Sequence, residues 1–159
     1  MKICLDKRGF TLIELIVVVA ILSGLMVSAL MAYSSFRDKA KKVQALAQLK
    51  KIQLAIENLA LDTDQWPGPN PVGELASKNV WDLTTKAAGL VDYNKNKFDN
   101  WNGPYIDSIP KDPWGNNYFF DPNYIINKQR FVVIGSFGPN GTGQNRDDGD
   151  NIVIILPAS

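Results

Sequence analysis

Eighteen consecutive residues, Leu15 to Ala32, carry no charge, and a single carboxylate, Glu14, stands at their head. No other feature limits this chain as much. At about 1.5 Å of rise per residue the run makes roughly 27 Å of helix, close to the hydrocarbon thickness of a bilayer. Lys2, Lys7 and Arg8 precede it, partly offset by Asp6. Basic residues on that side predict that the N-terminus stays cytoplasmic and that the remainder is exported. A secretory signal would have a shorter apolar core followed by a small-residue cleavage site. Here polar, helix-forming sequence continues directly from Tyr33.

An acid at the mouth of an apolar span is costly, and such residues generally have a function and a partner. If the chain were cut after Gly9, the new α-amino group of Phe10 would lie one helical turn from Glu14. A second copy, shifted along its axis, would offer that amine to this carboxylate. The acid would then be neutralised only in an assembly, and the pair would set its register. The plainer reading leaves Glu14 at the headgroup level, in water.

The stretch Lys7-Arg8-Gly9-Phe10-Thr11-Leu12-Ile13-Glu14-Leu15 resembles the processing motif of type IV pilins and pseudopilins. The resemblance implies that a prepilin peptidase cleaves Gly9–Phe10 and methylates the Phe10 amine to N-methylphenylalanine. It also implies that Glu14 pairs with Phe10 of a neighbouring subunit. Where the family often has a helix proline, this chain has Met31, so Gly24 is left as the weak point of the helix. Loss of residues 1–9 turns 17 basic and 16 acidic residues into 14 and 15. Cys4 departs with that leader, so the mature chain folds in an oxidising compartment with no disulfide.

From Tyr33 to about Thr63 no Pro or Gly interrupts a sequence rich in Ala, Leu, Lys and Gln, which predicts that the helix continues. At 100° per residue its apolar positions form two stripes. Ala45, Leu49, Ile52, Ile56 and Leu59 share one face; Phe36, Ala40, Val43, Ala47, Leu54 and Leu61 lie nearly opposite. One stripe suffices to pack on a globular head, and the second suggests other helices, or burial on both sides within one molecule. Arg37, Lys39, Lys41, Lys42, Lys50 and Lys51 face one acid, Asp38. That basic band reads as a solvated face, or as a surface for anionic headgroups or acidic neighbours.

Trp66-Pro67-Gly68-Pro69-Asn70-Pro71 ends the helix. Residues 72 to about 100 read as loop, with a short helix expected near Trp81–Ala88 closed by Gly89. Three apolar runs, Tyr118–Phe120, Arg130–Phe137 and Asn151–Leu156, are bounded by turn formers and read as an antiparallel sheet. The fold class expected is α+β: a long N-terminal helix, half transmembrane and half amphipathic, packed on a small antiparallel β-sheet. The organisation is a leader at 1–9, a membrane half at 10–32, an amphipathic half at 33–63, and a head at 64–159.

The blocks Gly103-Pro104-Tyr105 and Ile109-Pro110-Lys111-Asp112-Pro113-Trp114-Gly115-Asn116-Asn117-Tyr118, then a strand and a polar loop, are similar to the major pseudopilins of type II secretion systems. In many of these the last loop binds calcium. Here that loop is Gly138–Asn151, and Asn140, Asp147, Asp148 and Asp150 are the candidate side-chain ligands. Calcium takes six to eight oxygens from carboxylates, amides and carbonyls, and three acids within four positions repel one another without a counter-ion. An acidic hairpin without metal is the plainer reading. Asn140 stands where the family often has Asp, which lowers the ligand charge.

The implied role is that of a structural subunit in a secretion pseudopilus. Implied partners are copies of itself, the prepilin peptidase, minor pseudopilins, the inner-membrane assembly platform and, before assembly, the cytoplasmic membrane, with the head outside it. A type IV pilin of adhesion, motility or DNA uptake is the alternative. A membrane-tethered enzyme or binding domain is the rival from another class. It lacks His, mature Cys and a G-x-S-x-G elbow, so no nucleophile–base pair is visible and no catalytic residue is expected. A formal net charge of +1 points to no nucleic-acid partner.

Overall fold

The computed structural model describes residues 10–93 and 97–157. The leader, with Gly9 and Cys4, lies outside the described residues. The chain divides into two compact units, 1–39 and 40–159. A single α-helix, α1, spans Leu12–Thr63.

In the amino-terminal unit α1 begins at a reciprocal cap between Thr11 and Glu14 and passes through position 31 without a break. Gly24 has nothing within 4 Å of a would-be side chain, so backbone hydrogen bonding alone carries the helix there. Two hydroxyls within the apolar span are satisfied locally. Ser23 donates to the Val19 carbonyl at 2.7 Å and Ser28 to the Gly24 carbonyl at 3.2 Å. Such back-bonds hide a polar group where no water is available.

In the second unit the helix presents the first predicted stripe inward. Ala45, Leu49, Ile52, Ile56 and Leu59 are all fully buried. The opposite stripe is exposed at Val43, Leu54 and Leu61. The helix ends where Thr63 donates to the Leu59 carbonyl at 2.7 Å and Asp64 turns into the left-handed region, its N–H reaching Ala60. A C-terminal residue with positive φ is the usual way to stop a helix.

Two small sheets follow. Strands β1 (Gln65–Trp66) and β2 (Asn70–Pro71) pair antiparallel across the Pro-Gly-Pro turn, a hairpin the proline count had hidden. Strands β3 (Phe119–Ile126), β4 (Gln129–Ser136) and β5 (Ile152–Ile155) form an antiparallel sheet in that order. β3 runs well past the expected Phe120. It tolerates Pro122 because the register slips between Asp121 and Tyr124, a bulge in which no ladder N–H is needed from the proline. Asn127 and Lys128, both at positive φ, make the two-residue turn to β4.

The sheet is covered on both sides. Phe120, Val132, Ile134 and Leu156 join the helix stripe in the main core, with Trp66 edge-on to Phe120 at 6.2 Å. Phe119, Tyr124, Val133 and Phe137 form a second cluster, where Phe119 and Phe137 stack at 4.4 Å. Gly135 leaves room for this cluster. A side chain there would lie 2.6 Å from the Phe119 ring.

Between the sheets, Trp81–Ala88 forms turns rather than the expected helix. Asp82 accepts from the Thr84 N–H at 2.9 Å and from its hydroxyl at 2.6 Å, a local bond that competes with helical hydrogen bonding. The segment is held instead by a bridge between Val80 and Phe120 and by the Leu83 N–H on Tyr118. Further on, Trp101 stacks on Tyr93 at 4.1 Å and donates to the Gly89 carbonyl.

Candidate functional site

Two places gather the residues singled out by sequence. The first is the start of α1. Thr11 is the N-cap: its N–H and its hydroxyl both donate to Glu14 Oε2, at 2.8 and 2.7 Å, and the Glu14 N–H returns to the hydroxyl at 3.4 Å. This is a capping box, which satisfies otherwise orphaned donors at a helix start. Glu14 therefore has a partner within its own chain as well as the one expected from a neighbour. Thr-x-x-Glu ahead of an apolar run is the sequence signal for it. Thr11 supplies hydrogen bonds but no charge, so it does not stand in for the cation expected from a neighbour. Phe10, the residue before the cap, is 80% exposed. Phe10 and Glu14 line one shallow depression with Ile13, Val17 and Val18.

The second place is the loop after β4. The sequence block Pro110-Lys111-Asp112-Pro113-Trp114-Gly115-Asn116 forms its foundation. Asp112 is buried; Oδ1 accepts from the N–H groups of Trp114 and Asn116, and Oδ2 accepts from the Ser136 hydroxyl at 2.5 Å. Asn116 then donates to the Gly138 carbonyl at 3.0 Å. Gly138 sits at φ +64, and a Cβ there would clash with the Asp150 carbonyl, so the two ends of the loop approach as closely as glycine permits.

On this base Asn140, Asp148 and Asp150 converge. The Asn140 amide nitrogen donates to Asp148 Oδ2 at 2.8 Å and to Asp150 Oδ1 at 2.7 Å. Its backbone N–H reaches Asp150 Oδ2, and Thr142 donates to Asp148. The amide bond holds the Asp148 carboxyl below its usual range. Partial burial pushes the Asp150 carboxyl up, and the Asp148 carboxylate beside it adds to that rise. Two acids thus bracket one donor. Asp147, the fourth candidate, turns elsewhere. Its carboxylate accepts from the Gly149 N–H, and its own N–H bonds Ile125. Among the described residues no three His, Cys, Asp or Glu side chains gather into a cage. Any cation here would rely on two carboxylates plus amide and carbonyl oxygens. The donor set, all oxygen, suits a hard cation, and the Asn140 side-chain oxygen, which accepts from the Thr142 N–H at 2.7 Å, would have to leave that bond to join it.

Set beside known proteins, residues 32–154 match the family model described as type II secretion system (T2SS), protein G. The chain belongs to the type II secretion system protein G family. Residues 5–32 match the prokaryotic N-terminal methylation motif, which spans the capping box and the apolar half of α1. The type II secretion system core protein G of Pseudomonas aeruginosa is 30% identical over 144 residues, covering 90% of this chain and 93% of that one. The Escherichia coli K12 core protein G is 29% identical over 147 residues, covering 89% and 88%. A crystal structure of the major pseudopilin from the type 2 secretion system of enterohaemorrhagic Escherichia coli superimposes with a TM-score of 0.52. It is 20% identical and covers 75% of this chain and 86% of that one, a likeness of fold. The α+β pilin-like architecture read from the sequence is therefore that of this protein G-family chain.

Proposed function

We propose that this chain is the repeating structural subunit of a pseudopilus, a helical filament that drives type II protein secretion. A prepilin peptidase cuts Gly9–Phe10 and methylates the new Phe10 amine. Before assembly the chain, cut or uncut, is held in the cytoplasmic membrane by the apolar half of α1, with its head on the outer side. The observation that carries this reading is the state of that helix half. From Phe10 to Leu30 its large apolar side chains are 44–80% exposed. The helix is also long and apolar enough to cross a bilayer. Exposed apolar surface on this scale demands a cover, and lipid first and sister helices later both supply one.

In the filament, Glu14 of one subunit meets the Phe10 amine of another, while Thr11 holds the carboxylate ready on its own helix. The exposed stripe of Val43, Leu54 and Leu61 packs against neighbouring helices. Minor pseudopilins and the inner-membrane assembly platform are the expected partners beyond the chain itself. The role is structural, and no catalytic residue is assigned. Membership of the protein G family favours this secretion role over that of a type IV pilin.

Calcium is the proposed ligand of the last loop. Asn140, Asp148 and Asp150 would hold it with backbone carbonyls, and Asp147 lies next in line. Bound there, the ion would neutralise the paired carboxylates and tie the loop's two ends together. The decisive experiment is mass spectrometry of the protein purified from membranes that contain prepilin peptidase, followed by sedimentation of sheared filaments. The mature chain should begin at methylated Phe10 and be recovered in the filament fraction. An uncut N-terminus starting at Met1 would reject the reading.

A further inference from the structure

The β3–β4 hairpin tip and the C-terminal loop enclose a cleft of about 460 Å³ on the head, lined by Ile125, Asn127, Lys128, Arg130, Arg146 and Asp147. Its construction is specific. Ile125 pairs with Arg130 across the β3–β4 ladder, and on its other edge it bridges Arg146 in parallel. The Ile125 N–H bonds Asn145 at 3.1 Å and the Asp147 N–H bonds Ile125 at 3.0 Å, so the loop is stitched to the edge strand there. Residues opposite one another in a ladder share a face. Arg130 and Arg146 therefore stand on the same side of the sheet, one on each flank of Ile125, with α-carbons about 10 Å apart, two strand spacings. Lys128 projects from the tight turn beside them.

Among the described residues no carboxylate lies within ion-pairing distance of Lys128, Arg130 or Arg146. Among the described residues Arg130 bonds the neutral Asn123 amide oxygen, at 3.1 Å, which steadies the guanidinium without neutralising it. Three cations face one acid, Asp147, among the side chains that line the cleft, an excess of two positive charges on its walls. Two guanidinium forks over an apolar floor suit a tetrahedral oxyanion that accepts several bonds at once. A phosphate monoester, with close to two negative charges at neutral pH, matches the excess.

We propose that this cleft is a phosphate-monoester site, held by Arg130, Arg146 and Lys128, independent of filament assembly. The phosphate could belong to a soluble sugar phosphate or to a lipid headgroup, and the test separates the two. The full chain is placed in phosphatidylcholine nanodiscs, and amide resonances are followed on titration with glucose 6-phosphate. In parallel, nanodiscs containing phosphatidate are compared with those lacking it. Saturable shifts confined to Ile125, Lys128 and Arg146 with the soluble probe support a soluble ligand. The same shifts only with phosphatidate support a lipid source. Arg146→Ala and Arg130→Ala should each weaken binding by about tenfold or more. Lys86→Ala, an exposed cation outside the cleft, should leave it unchanged. Asp147→Asn should tighten it, a gain that a damaged fold cannot imitate. The proposal is overturned by shifts that fail to saturate with either source, by equal binding of glucuronate, or by equal losses in Lys86→Ala.

Discussion

Thr11 and Glu14 hold each other: the threonine N–H and hydroxyl both bond one oxygen of the glutamate, and the glutamate N–H bonds the hydroxyl in return. The acid that assembly is proposed to use is therefore also a structural part of its own helix. The two roles separate by substitution. Glu14→Gln keeps an oxygen for the Thr11 donors but removes the charge. It should give a stable, membrane-inserted, helical monomer with filament yield down by about tenfold or more, since an unpaired ammonium is left in the apolar bundle. Thr11→Ala should fray the first turn, seen by circular dichroism, and reduce filaments less. Normal sheared-filament yield from Glu14→Gln would rule out charge pairing as the basis of register.

The last loop should respond to calcium. A ligand that binds only the folded state stabilises it by about 2.7 kcal/mol at a concentration one hundred times its Kd. Thermal melting in calcium against chelator should differ by several degrees. Asp148→Ala and Asp150→Ala should erase the difference, and Asp147→Ala should reduce it less, because Asp147 stands apart from the Asn140 bridge. Superimposable melting curves for the unmodified chain would exclude a metal here.

Asp112 should matter far more than its place in a turn-rich block suggests. Its carboxylate accepts from Trp114, Asn116 and Ser136 while buried. Asp112→Ala strands three donors and should cost about 3 kcal/mol in denaturant unfolding. It should also loosen the calcium loop through Asn116 and Gly138. A loss below about 0.5 kcal/mol, the usual range for surface substitutions, would show that the network is idle.

The two helix stripes predict opposite phenotypes. Ile56→Ala removes a fully buried side chain and should destabilise the head by about 3 kcal/mol. Leu61 is 83% exposed. Leu61→Ala should change head stability by no more than about 0.5 kcal/mol. If Leu61 packs against neighbouring helices, the same change lowers filament yield, which sedimentation reads directly.

Asp121 gives a pH signature. It is fully buried, and one of its oxygens has no hydrogen-bond partner among the described residues. Burial pushes its carboxyl above the usual range, while the Asn123 N–H opposes this. A raised carboxyl pKa means the native state holds its proton more tightly than the unfolded chain. This residue therefore contributes against stability above its folded pKa, and that penalty disappears as pH falls toward the unfolded value. Asp121→Asn should raise stability at neutral pH, with the gain shrinking as pH falls, so the variant loses stability more steeply on acidification. Unfolding midpoints between pH 3 and pH 7 measure this; an unaltered profile would show the carboxyl to be solvated.

The helix was legible because its determinants are local. Unbroken helix formers, an apolar span and a 100° stripe place Leu49, Ile52, Ile56 and Leu59 on one face before any contact is known. The strands were legible as apolar runs between turn formers, though not their limits: Pro122 hid the length of β3, because a bulge is a property of the pairing. Asp82 cancelled the expected helix at Trp81–Ala88 through a hydrogen bond that competes with helix formation over only two residues. The Thr11 cap is encoded in four adjacent residues, yet the processing motif that shares those residues masks it.

Sequence alone determined the membrane-length helix, its buried stripe, the processing motif and the family resemblance, since each depends on residues within a few positions of one another. Only the tertiary structure decided that Asp148 and Asp150, but not Asp147, share Asn140; that Asp112 anchors the loop through Ser136; and that Arg130 and Arg146 flank Ile125. Each of these depends on strand register and on how an irregular loop closes. No local periodicity encodes such placements, because they are fixed by which distant backbone groups find one another as the core packs.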